Sequence, residues 1–104
     1  MNAPSARTLA KYGLTADEWL TIVERQGGVC PICQEAPKTG RWVTDHVHAK
    51  GYKSFPPEKK KAYVRGITCT NCNRFFLGRG LTIARAENIV QYLKEFNERI
   101  SSIR

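Results

Sequence analysis

Two histidines and an aspartate stand together in residues 43–51, VTDHVHAKG. His46 and His48 are the only histidines in this chain of 104 residues, and Asp45 directly precedes the first of them. A carboxylate is a hard ligand suited to Mg²⁺ or Mn²⁺, and a neutral imidazole can deprotonate a water molecule near neutral pH. These residue types in one short segment indicate hydrolytic chemistry.

Four cysteines occur as two pairs, CPIC at 30–33 and CTNC at 69–72. Two residues separate the cysteines of each pair, and the turn this spacing forms lets both thiolates point at one ion. Redox-active or disulfide-bonded cysteines are the alternative, but two such motifs without a βαβ pattern do not suit thioredoxin-like chemistry. Four thiolates complete a tetrahedral shell, so the pattern predicts a closed, structural zinc site. Its ligands would be Cys30, Cys33, Cys69 and Cys72.

An insertion of 35 residues separates Cys33 from Cys69, which is longer than the usual zinc-ribbon gap of about 15–20 residues. The inserted element carries Asp45 and both histidines, and Asn73 directly follows the last cysteine. The zinc should therefore hold Asn73 beside the strand that ends at Asp45. The Asn73 amide oxygen would then be a second hard ligand, with water and a substrate phosphate completing the shell.

Local signals predict the elements that position these residues. Thr15 and Glu18 have the spacing of a capping box. Leu14 and Trp19 can form the hydrophobic staple that accompanies such a start. The glycine pair at 27–28 ends this predicted helix, which delivers the chain to the first cysteine pair.

Strands are predicted over 41–45 and 62–69, where β-branched and aromatic residues occur together. In a regular strand Asp45 and His46 point to opposite faces, whereas His46 and His48 share a face. If Asp45 and His46 serve one site, the strand must therefore break or bend between them. Glycine, a proline pair and three consecutive lysines predict an irregular loop over 49–61.

Two further helices are predicted after the second strand. A short one should begin near Asn73 and end at Gly78 or Gly80. A longer one, over 81–100, is capped by Thr82 and has an apolar stripe. The stripe consists of Ile83, Ala86, Val90, Leu93 and Ile100.

The formal net charge of +8 predicts a polyanionic partner, most simply DNA or RNA, although a solvated basic surface would have the same composition. Each candidate residue also has an ordinary structural interpretation. Asp45 can end a strand in an Asx turn, the histidines can be ordinary surface or half-buried residues, and Asn73 can cap a helix. The three consecutive lysines can belong to a solvated loop. Taken together, hard ligands, histidine and basic surface describe metal-assisted phosphodiester hydrolysis.

The sequence resembles the HNH, or ββα-metal, nucleases, and more closely the recombination endonuclease VII family of tailed phages. The resemblance covers residues from about 7 to 100 and rests on YGLTADEWLTIVERQGGVCPICQ, DHVH, VRGITCTNCNRFFLG and AENIVQYLKEF. It implies a small α+β fold with a zinc-stapled ββα-metal (HNH, or His-Me finger) core and flanking N- and C-terminal helices. A basic N-terminal arm over 1–12 would precede a single endonuclease domain over 13–104.

The resemblance also implies roles for the residues that match the family's motif. Asp45 and Asn73 would bind a catalytic Mg²⁺ or Mn²⁺, and His46 would be the general base that activates water. His48 would position the scissile phosphate or shape the site. The four cysteines would hold a structural zinc ion, and the products would carry 5′-phosphate and 3′-hydroxyl ends.

Two positions depart from the family's pattern. Val47 stands where many relatives have a second aspartate, and Phe76 stands where the junction-resolving member has an acidic residue. Nicking or cutting of duplex DNA is therefore expected ahead of junction resolution, and DNA ahead of RNA. A zinc-stabilised module that binds nucleic acid without cutting it is the alternative. The residues expected to contact the nucleic-acid backbone are Lys59, Lys60, Lys61, Arg65, Arg74 and Arg79.

The apolar content is distributed without a membrane span or a signal-peptide core. No apolar run approaches the roughly 20 residues of a span, and the N-terminal residues contain no unbroken apolar region. We therefore expect a cytoplasmic protein, in the host cell if phage-encoded, with reduced cysteines and no membrane partner. The stripe of the last helix can pack on its own core or on a second copy, so a homodimer is a further expectation.

Overall fold

The computed structural model describes residues 2–78 and 80–103. Within them, helices and strands follow the order α1–α2–β1–α3–β2–α4–α5, with a 3₁₀ turn at Tyr52–Ser54 before α3. The two strands form one antiparallel sheet, so the domain is a small α+β fold. The bounds are α1 Ala6–Ala10, α2 Ala16–Arg25, β1 Trp42–His46, α3 Pro57–Ala62, β2 Val64–Cys69, α4 Thr70–Phe75 and α5 Ile83–Ile103.

Helix α2 confirms the predicted capping box. The Thr15 hydroxyl accepts a hydrogen bond from the Glu18 backbone N–H at 3.2 Å, and the Glu18 carboxylate accepts one from the Thr15 N–H at 2.9 Å. The apolar face of the helix buries Trp19 and Val23. The Trp19 indole N–H also donates to the Thr44 hydroxyl in β1 at 3.3 Å, which fixes α2 against the sheet.

The N-terminal segment belongs to the core, so the prediction of a loose arm over residues 1–12 is wrong. Ser5 caps α1 by accepting a hydrogen bond from the Thr8 N–H at 3.3 Å, and Leu9 is only 3% exposed. A helix of five residues that buries one leucine has no periodicity by which the sequence could reveal it. The core cluster consists of Leu9, Leu14, Trp19, Val23 and Ile67.

Gly13, between α1 and α2, permits a close approach of two backbone segments. Its φ of 69° lies in the left-handed region, and a Cβ atom there would collide with the carbonyl oxygen of Pro57. Glycine meets both requirements without strain. The N-terminal helices are therefore held directly against the start of α3.

The strand pairing contains a bulge between Asp45 and His46. Asp45 lies opposite Gly66, but His46 lies opposite Val64, so β2 has one extra residue, Arg65, at this point. Such bulges re-aim side chains and are over-represented beside active sites. The irregularity falls between Asp45 and His46, where a break or bend is expected if the two residues serve one site.

A side chain covers the second edge of β2. The Gln26 amide oxygen accepts a hydrogen bond from the Ile67 N–H at 2.9 Å, and the Gln26 amide nitrogen donates to the Ile67 carbonyl oxygen at 2.7 Å. Both backbone groups of a fully buried residue are thereby satisfied, as a third strand would satisfy them. Gln26 directly follows α2, so these bonds tie that helix to β2.

Helical structure over 52–54 and 57–62 contradicts the loop predicted over 49–61. Pro57 occupies the first position of α3, where its missing N–H costs nothing. Glu58 lies in the first turn and the three lysines lie in the last, which matches the sign of the helix dipole at each end. The prolines and lysines thus mark the start and end of a helix, although each suggests a loop when considered alone.

Helix α4 begins at Thr70, earlier than the predicted start near Asn73. Cys69 is its N-cap, because the Cys69 sulfur accepts a hydrogen bond from the Cys72 N–H at 3.3 Å. Cysteine is not among the residues that usually cap helices, so no capping signal marks this start in the sequence. Asn73 lies inside the helix, and its interpretation as a helix cap is wrong.

Helix α5 confirms the predicted C-terminal helix, and the Thr82 hydroxyl accepts a hydrogen bond from the Arg85 N–H at 3.1 Å at its start. Its apolar side chains do not pack on the core, because Ile83 is 79% exposed and Leu93 is 54% exposed. The helix presents an unpartnered apolar face within the described part of the chain. Among the described residues, no helix is both long enough and apolar enough to cross a membrane.

Candidate functional site

The four cysteine sulfurs converge as their spacing predicts. All four Sγ atoms lie within 4.8 Å of one another, and those of Cys33 and Cys69 are 4.0 Å apart. The cysteines form no disulfides. Four thiolates around a zinc ion at about 2.3 Å would lie about 3.8 Å apart. Both the donor set and its spacing therefore fit one tetrahedral zinc ion.

The thiols of this cysteine cluster differ in pKa. Burial opposes ionisation of Cys30, but hydrogen bonds from the backbone of Cys33 and Cys69 lower its pKa to about 6. Burial and the neighbouring thiols raise the pKa of Cys72 to about 12. A metal that requires four thiolates must displace the remaining protons, so its binding will weaken as the pH falls.

A second group of polar residues lines an open cleft of about 620 Å³. Asp45 and His46 come from β1, and His48 follows that strand. Asn73 comes from α4, and Arg65 comes from the bulge in β2. The structure thus brings the aspartate, both histidines and the asparagine singled out in the sequence to one cleft.

Asp45 is bound on both oxygens by Arg65. The Arg65 Nε donates to Asp45 Oδ2 at 2.8 Å, and the Arg65 Nη2 donates to Asp45 Oδ1 at 3.0 Å. The Asp45 side chain is only 9% exposed, and a carboxylate this buried needs a nearby cation. Arg65 supplies that cation, and its hydrogen bonds to the carboxylate raise the pKa of its own guanidinium.

His46 is surrounded by other rings. Its ring centroid lies 4.8 Å from that of Tyr52, 5.3 Å from that of Tyr12 and 4.6 Å from that of His48. Burial, followed by the charge of His48, lowers the pKa of His46 below its ordinary value of 6.5. His46 is therefore neutral at pH 7 and able to accept a proton.

Asn73 connects the cleft to the cysteine cluster. It follows Cys72 in α4, and the Cys72 thiol is buried in the cluster. Its side chain is half-buried at the cleft and makes no hydrogen bond within the described residues. A metal held by the cysteines would therefore fix α4, and with it the position of Asn73.

Two lysines of α3 lie over aromatic rings. The Lys59 ammonium is 4.0 Å from the Phe55 ring centroid, and the Lys60 ammonium is 5.8 Å from that of Tyr52. Both distances are within the range of cation–π attraction. Tyr52 also contacts His46, so one aromatic ring lies between Lys60 and a residue of the cleft.

The other basic residues predicted to contact nucleic acid differ in their surroundings. Lys61 forms an ion pair with Glu18, which partly neutralises its charge. Arg74 is exposed on α4, with its guanidinium 5.4 Å from the Phe75 ring centroid. Arg79 lies outside the described residues.

The sequence interpretation missed the rings that surround His46. Tyr12 lies in the segment interpreted as an arm, and Tyr52 lies in the segment interpreted as a loop. The Tyr52 hydroxyl is buried without a hydrogen-bond partner in the described structure. The concentration of tyrosine and phenylalanine over 52–63 was the available signal for a packed aromatic cluster rather than a loop.

The chain is similar in sequence to known proteins. Residues 5–95 match the family model for recombination endonuclease VII. Two similar proteins, each named Gene 59 protein, come from Mycobacterium phages D29 and L5. The D29 protein is 40% identical over 91 residues, which cover 86% of this chain and 48% of that protein. The L5 protein is 45% identical over 73 residues, which cover 69% and 38%.

The chain spans about half the length of the D29 protein and less of the L5 protein. No solved structure is significantly similar to it. The family model covers all four cysteines and every residue of the cleft named above. The chain belongs to the recombination endonuclease VII family.

Proposed function

We propose that this chain is the catalytic domain of a divalent-metal-dependent DNA endonuclease of the HNH, or ββα-metal, type. The observation that carries the proposal is that Asp45, His46, His48 and Asn73 line one cleft. Membership of the recombination endonuclease VII family supports it. The order β1, β2, α4, with cysteines at the junction of β2 and α4, supports the ββα-metal interpretation.

The donors in the cleft fit a hard divalent ion. Asp45 offers a carboxylate and Asn73 an amide oxygen, the ligand types that Mg²⁺ and Mn²⁺ prefer. Both side chains reach the same cleft from different elements, β1 and α4. A bound ion would supply positive charge that stabilises the transition state and the leaving 3′ oxygen.

His46 would remove a proton from the attacking water. Its ring is neutral at pH 7, and a neutral imidazole has one nitrogen without a proton that can accept the proton of the water. Tyr12 and Tyr52 hold the ring in place from two sides. His48 is exposed beside it and would position the scissile phosphate. Attack of the water on phosphorus would break the bond to the 3′ oxygen, which would leave a 3′-hydroxyl end and a 5′-phosphate end.

We assign a structural zinc ion to Cys30, Cys33, Cys69 and Cys72, whose sulfurs are spaced for a tetrahedral shell. Four thiolates leave no open coordination position, so this metal would not take part in hydrolysis. Its contribution would be to join the first cysteine pair to β2 and α4. Asn73 lies on α4, and Asp45 lies on β1, which pairs with β2, so the zinc would hold together the elements that carry both proposed metal ligands.

The distribution of charge favours a nucleic-acid backbone as the ligand of the part of the chain that precedes α5. Three basic and three acidic residues cancel within α5, so the excess positive charge of the chain lies outside that helix. Lys59 and Lys60 on α3 would add positive charge beside the cleft, since Lys60 lies over Tyr52 and Tyr52 contacts His46. Contacts of this kind give binding that weakens steeply with salt and depends little on sequence, as nicking of duplex DNA requires.

Plasmid nicking by the zinc-loaded protein in Mg²⁺ tests the proposal. His46→Ala should keep its zinc and its melting temperature but lose cleavage by about 100-fold or more, because general-base catalysis contributes that much. Asn73→Ala should lose cleavage as well, whereas the matched control Asn88→Ala on the exposed face of α5 should not. Cleavage by His46→Ala at the wild-type rate would refute the mechanism. Linear, branched and single-stranded DNA, with RNA alongside, would define the substrate.

The pairing of Asp45 with Arg65 favours a second candidate, a zinc-stabilised module that binds nucleic acid without cutting it. In such a module the aspartate would serve only as the partner of the arginine. Binding to DNA would then be the same with and without Mg²⁺, and no nicked plasmid would form. The plasmid assay therefore separates the two candidates directly.

We further propose that α5 pairs with α5 of a second copy. Three of its large apolar residues, Ile89, Leu93 and Phe96, are about half-exposed and share one face. Their spacing of four and then three residues is that of a coiled-coil seam. The wild type and the control Asn88→Glu should sediment as dimers. Leu93→Glu should sediment as a monomer, because it places a charge in the paired face. A monomeric wild type would refute it.

A further inference from the structure

We propose that Arg65 is a built-in counterion that occupies the Asp45 carboxylate until a nucleic-acid phosphate draws it away, and so couples metal binding to DNA binding. The inference rests on the proposed function of the cleft and deepens it. It assigns Arg65 two alternative partners and predicts when the metal ligand becomes available. Arg65 would act as a positioning residue through Asp45 and would bind the substrate backbone once released.

The first step of the argument is that Arg65 and a metal ion would need the same atoms. Arg65 Nε and Nη2 bind one oxygen each of the Asp45 carboxylate, at 2.8 Å and 3.0 Å. A divalent ion coordinated at either oxygen would lie beside a guanidinium of the same sign. Like charges at this separation repel strongly in a partly buried site. Metal binding at Asp45 therefore requires Arg65 to move.

The second step is that Arg65, and not Asp45, is the partner able to move. The Asp45 side chain is 9% exposed, whereas that of Arg65 is 48% exposed. Asp45 lies in the regular part of the sheet, opposite Gly66. Arg65 reaches it with a long side chain of which about half is exposed to solvent. The Asp45 carboxylate thus stays in place, and the cation paired with it can be exchanged.

The third step is that the fold itself creates the contact. Neighbouring residues of a regular strand point to opposite faces. Arg65, next to Gly66, would then point away from the face that Asp45 occupies. Because Arg65 is the extra residue of the bulge, its side chain is re-aimed to that face. The pairing is therefore built into the register of the sheet and is not an incidental contact between surface side chains.

The fourth step is that the cleft offers Arg65 a replacement partner. A guanidinium binds phosphate with the same two-pronged geometry as it binds carboxylate. Arg65 lines the cleft together with His46 and His48, where the scissile phosphate would lie. When a phosphate enters, Arg65 can transfer to it while Asp45 takes the metal. Both negative groups then remain paired with a cation throughout.

A thermodynamic consequence is that DNA and the metal should strengthen each other's binding by the same factor, since such coupling is reciprocal. Mn²⁺ is a suitable probe because its free concentration can be followed by electron paramagnetic resonance in the presence of diamagnetic zinc. We expect Arg65→Gln to bind Mn²⁺ about tenfold more tightly than the wild type, because the competing charged hydrogen bonds are lost but are partly exposed. Arg65→Lys, which keeps the charge but not the double contact, should tighten binding less.

Arg41→Gln is the matched control, because it removes the same charge from an exposed residue just before β1. Its Mn²⁺ affinity should stay within about twofold of the wild type, as expected for a charge screened by solvent. A short DNA duplex, added to the His46→Ala variant so that no cleavage occurs, should tighten Mn²⁺ binding about tenfold. In the His46→Ala, Arg65→Gln double variant the duplex should tighten it by a smaller factor, because direct contact between the phosphate and the metal would remain while the exchange of Arg65 would not.

Equal Mn²⁺ affinity of the wild type and Arg65→Gln, including no binding by either, would overturn the inference. If Arg65→Gln lost its melting transition, Arg65→Lys would carry the test, and its failure to tighten binding would count equally. A wild type that nicks plasmid while showing equal affinities would leave the proposed function standing without the Arg65 exchange. Tighter Mn²⁺ binding by Arg65→Gln without any nicking would uphold the exchange and refute the endonuclease.

Discussion

Removal of the Gln26 side chain should cost this small domain a large part of its stability. Gln26→Ala would leave the N–H and the carbonyl oxygen of Ile67 without the partners they have at 2.9 Å and 2.7 Å. Ile67 is fully buried, and each unsatisfied buried backbone group costs about 1–3 kcal/mol. Because Gln26 is only half-buried, water will partly replace it, so we expect a loss of about 2–4 kcal/mol in the free energy of unfolding.

That loss is large beside the roughly 5–15 kcal/mol by which domains are usually stable. It would be measured by urea unfolding of the zinc-loaded protein, followed by the fluorescence of the buried Trp19. Gln26→Glu keeps the acceptor for the Ile67 N–H but loses the donor to its carbonyl oxygen. It should therefore also destabilise the fold, by about 1–3 kcal/mol.

Gln91→Ala is the matched control, since the Gln91 amide makes only an exposed hydrogen bond with Glu95 at 3.3 Å. It should change the free energy of unfolding by less than about 0.5 kcal/mol. A value for Gln26→Ala within that same range would refute the reasoning. It would mean that water satisfies Ile67 as well as the side chain does, and that β2 does not depend on α2 for its second edge.

Three further predictions follow from the cysteine cluster, the histidine and a glycine. Cys69→Ser should lose zinc and the cooperative melting transition together, as measured by metal content and calorimetry; retention of both would contradict a structural zinc. DNA cleavage should stay level from about pH 8 to about pH 6.5 and fall only below that, since burial keeps the pKa of His46 below 6.5 and protonation removes the base. A decline centred above pH 7 would contradict this assignment. Gly13→Ala should destabilise the fold by about 2 kcal/mol or more. Gly27 also has a positive φ but has open space around it, so Gly27→Ala should cost about 1 kcal/mol. Equal midpoints of urea unfolding for the two variants would count against the contact of Gly13 with Pro57.

The features that the sequence revealed are those encoded by local spacing. The capping box of Thr15 and Glu18 involves only four consecutive residues, so the start of α2 can be predicted from the sequence without knowledge of tertiary contacts. The convergence of the cysteines can be predicted for a similar reason, because two CxxC turns together supply the four thiolates of one zinc site. Asn73 followed from the cluster, since a residue adjacent to Cys72 must lie close to whatever the cysteines hold together.

The features that stayed hidden depend on contacts between distant segments. Tyr12 and Tyr52 both contact His46, yet nothing near either residue in the sequence indicates the other. The pairing of Arg65 with Asp45 depends on a register that strand composition does not specify. Arg65 was predicted to contact a nucleic-acid backbone from its charge alone, whereas its partner in the structure is a carboxylate of the same site.

Because of the register shift, the cleft depends on the number of residues in β2 as well as on their types. Between Asp45 and His46, β1 advances by one residue while β2 advances by two, from Gly66 to Val64. Deletion of residue 65 would produce a more regular hairpin and remove the cation beside Asp45 in the same event. A one-residue gap at this position would thus alter the cleft more than most substitutions within it. Relatives should therefore be compared here by insertions and deletions before they are compared by residue type.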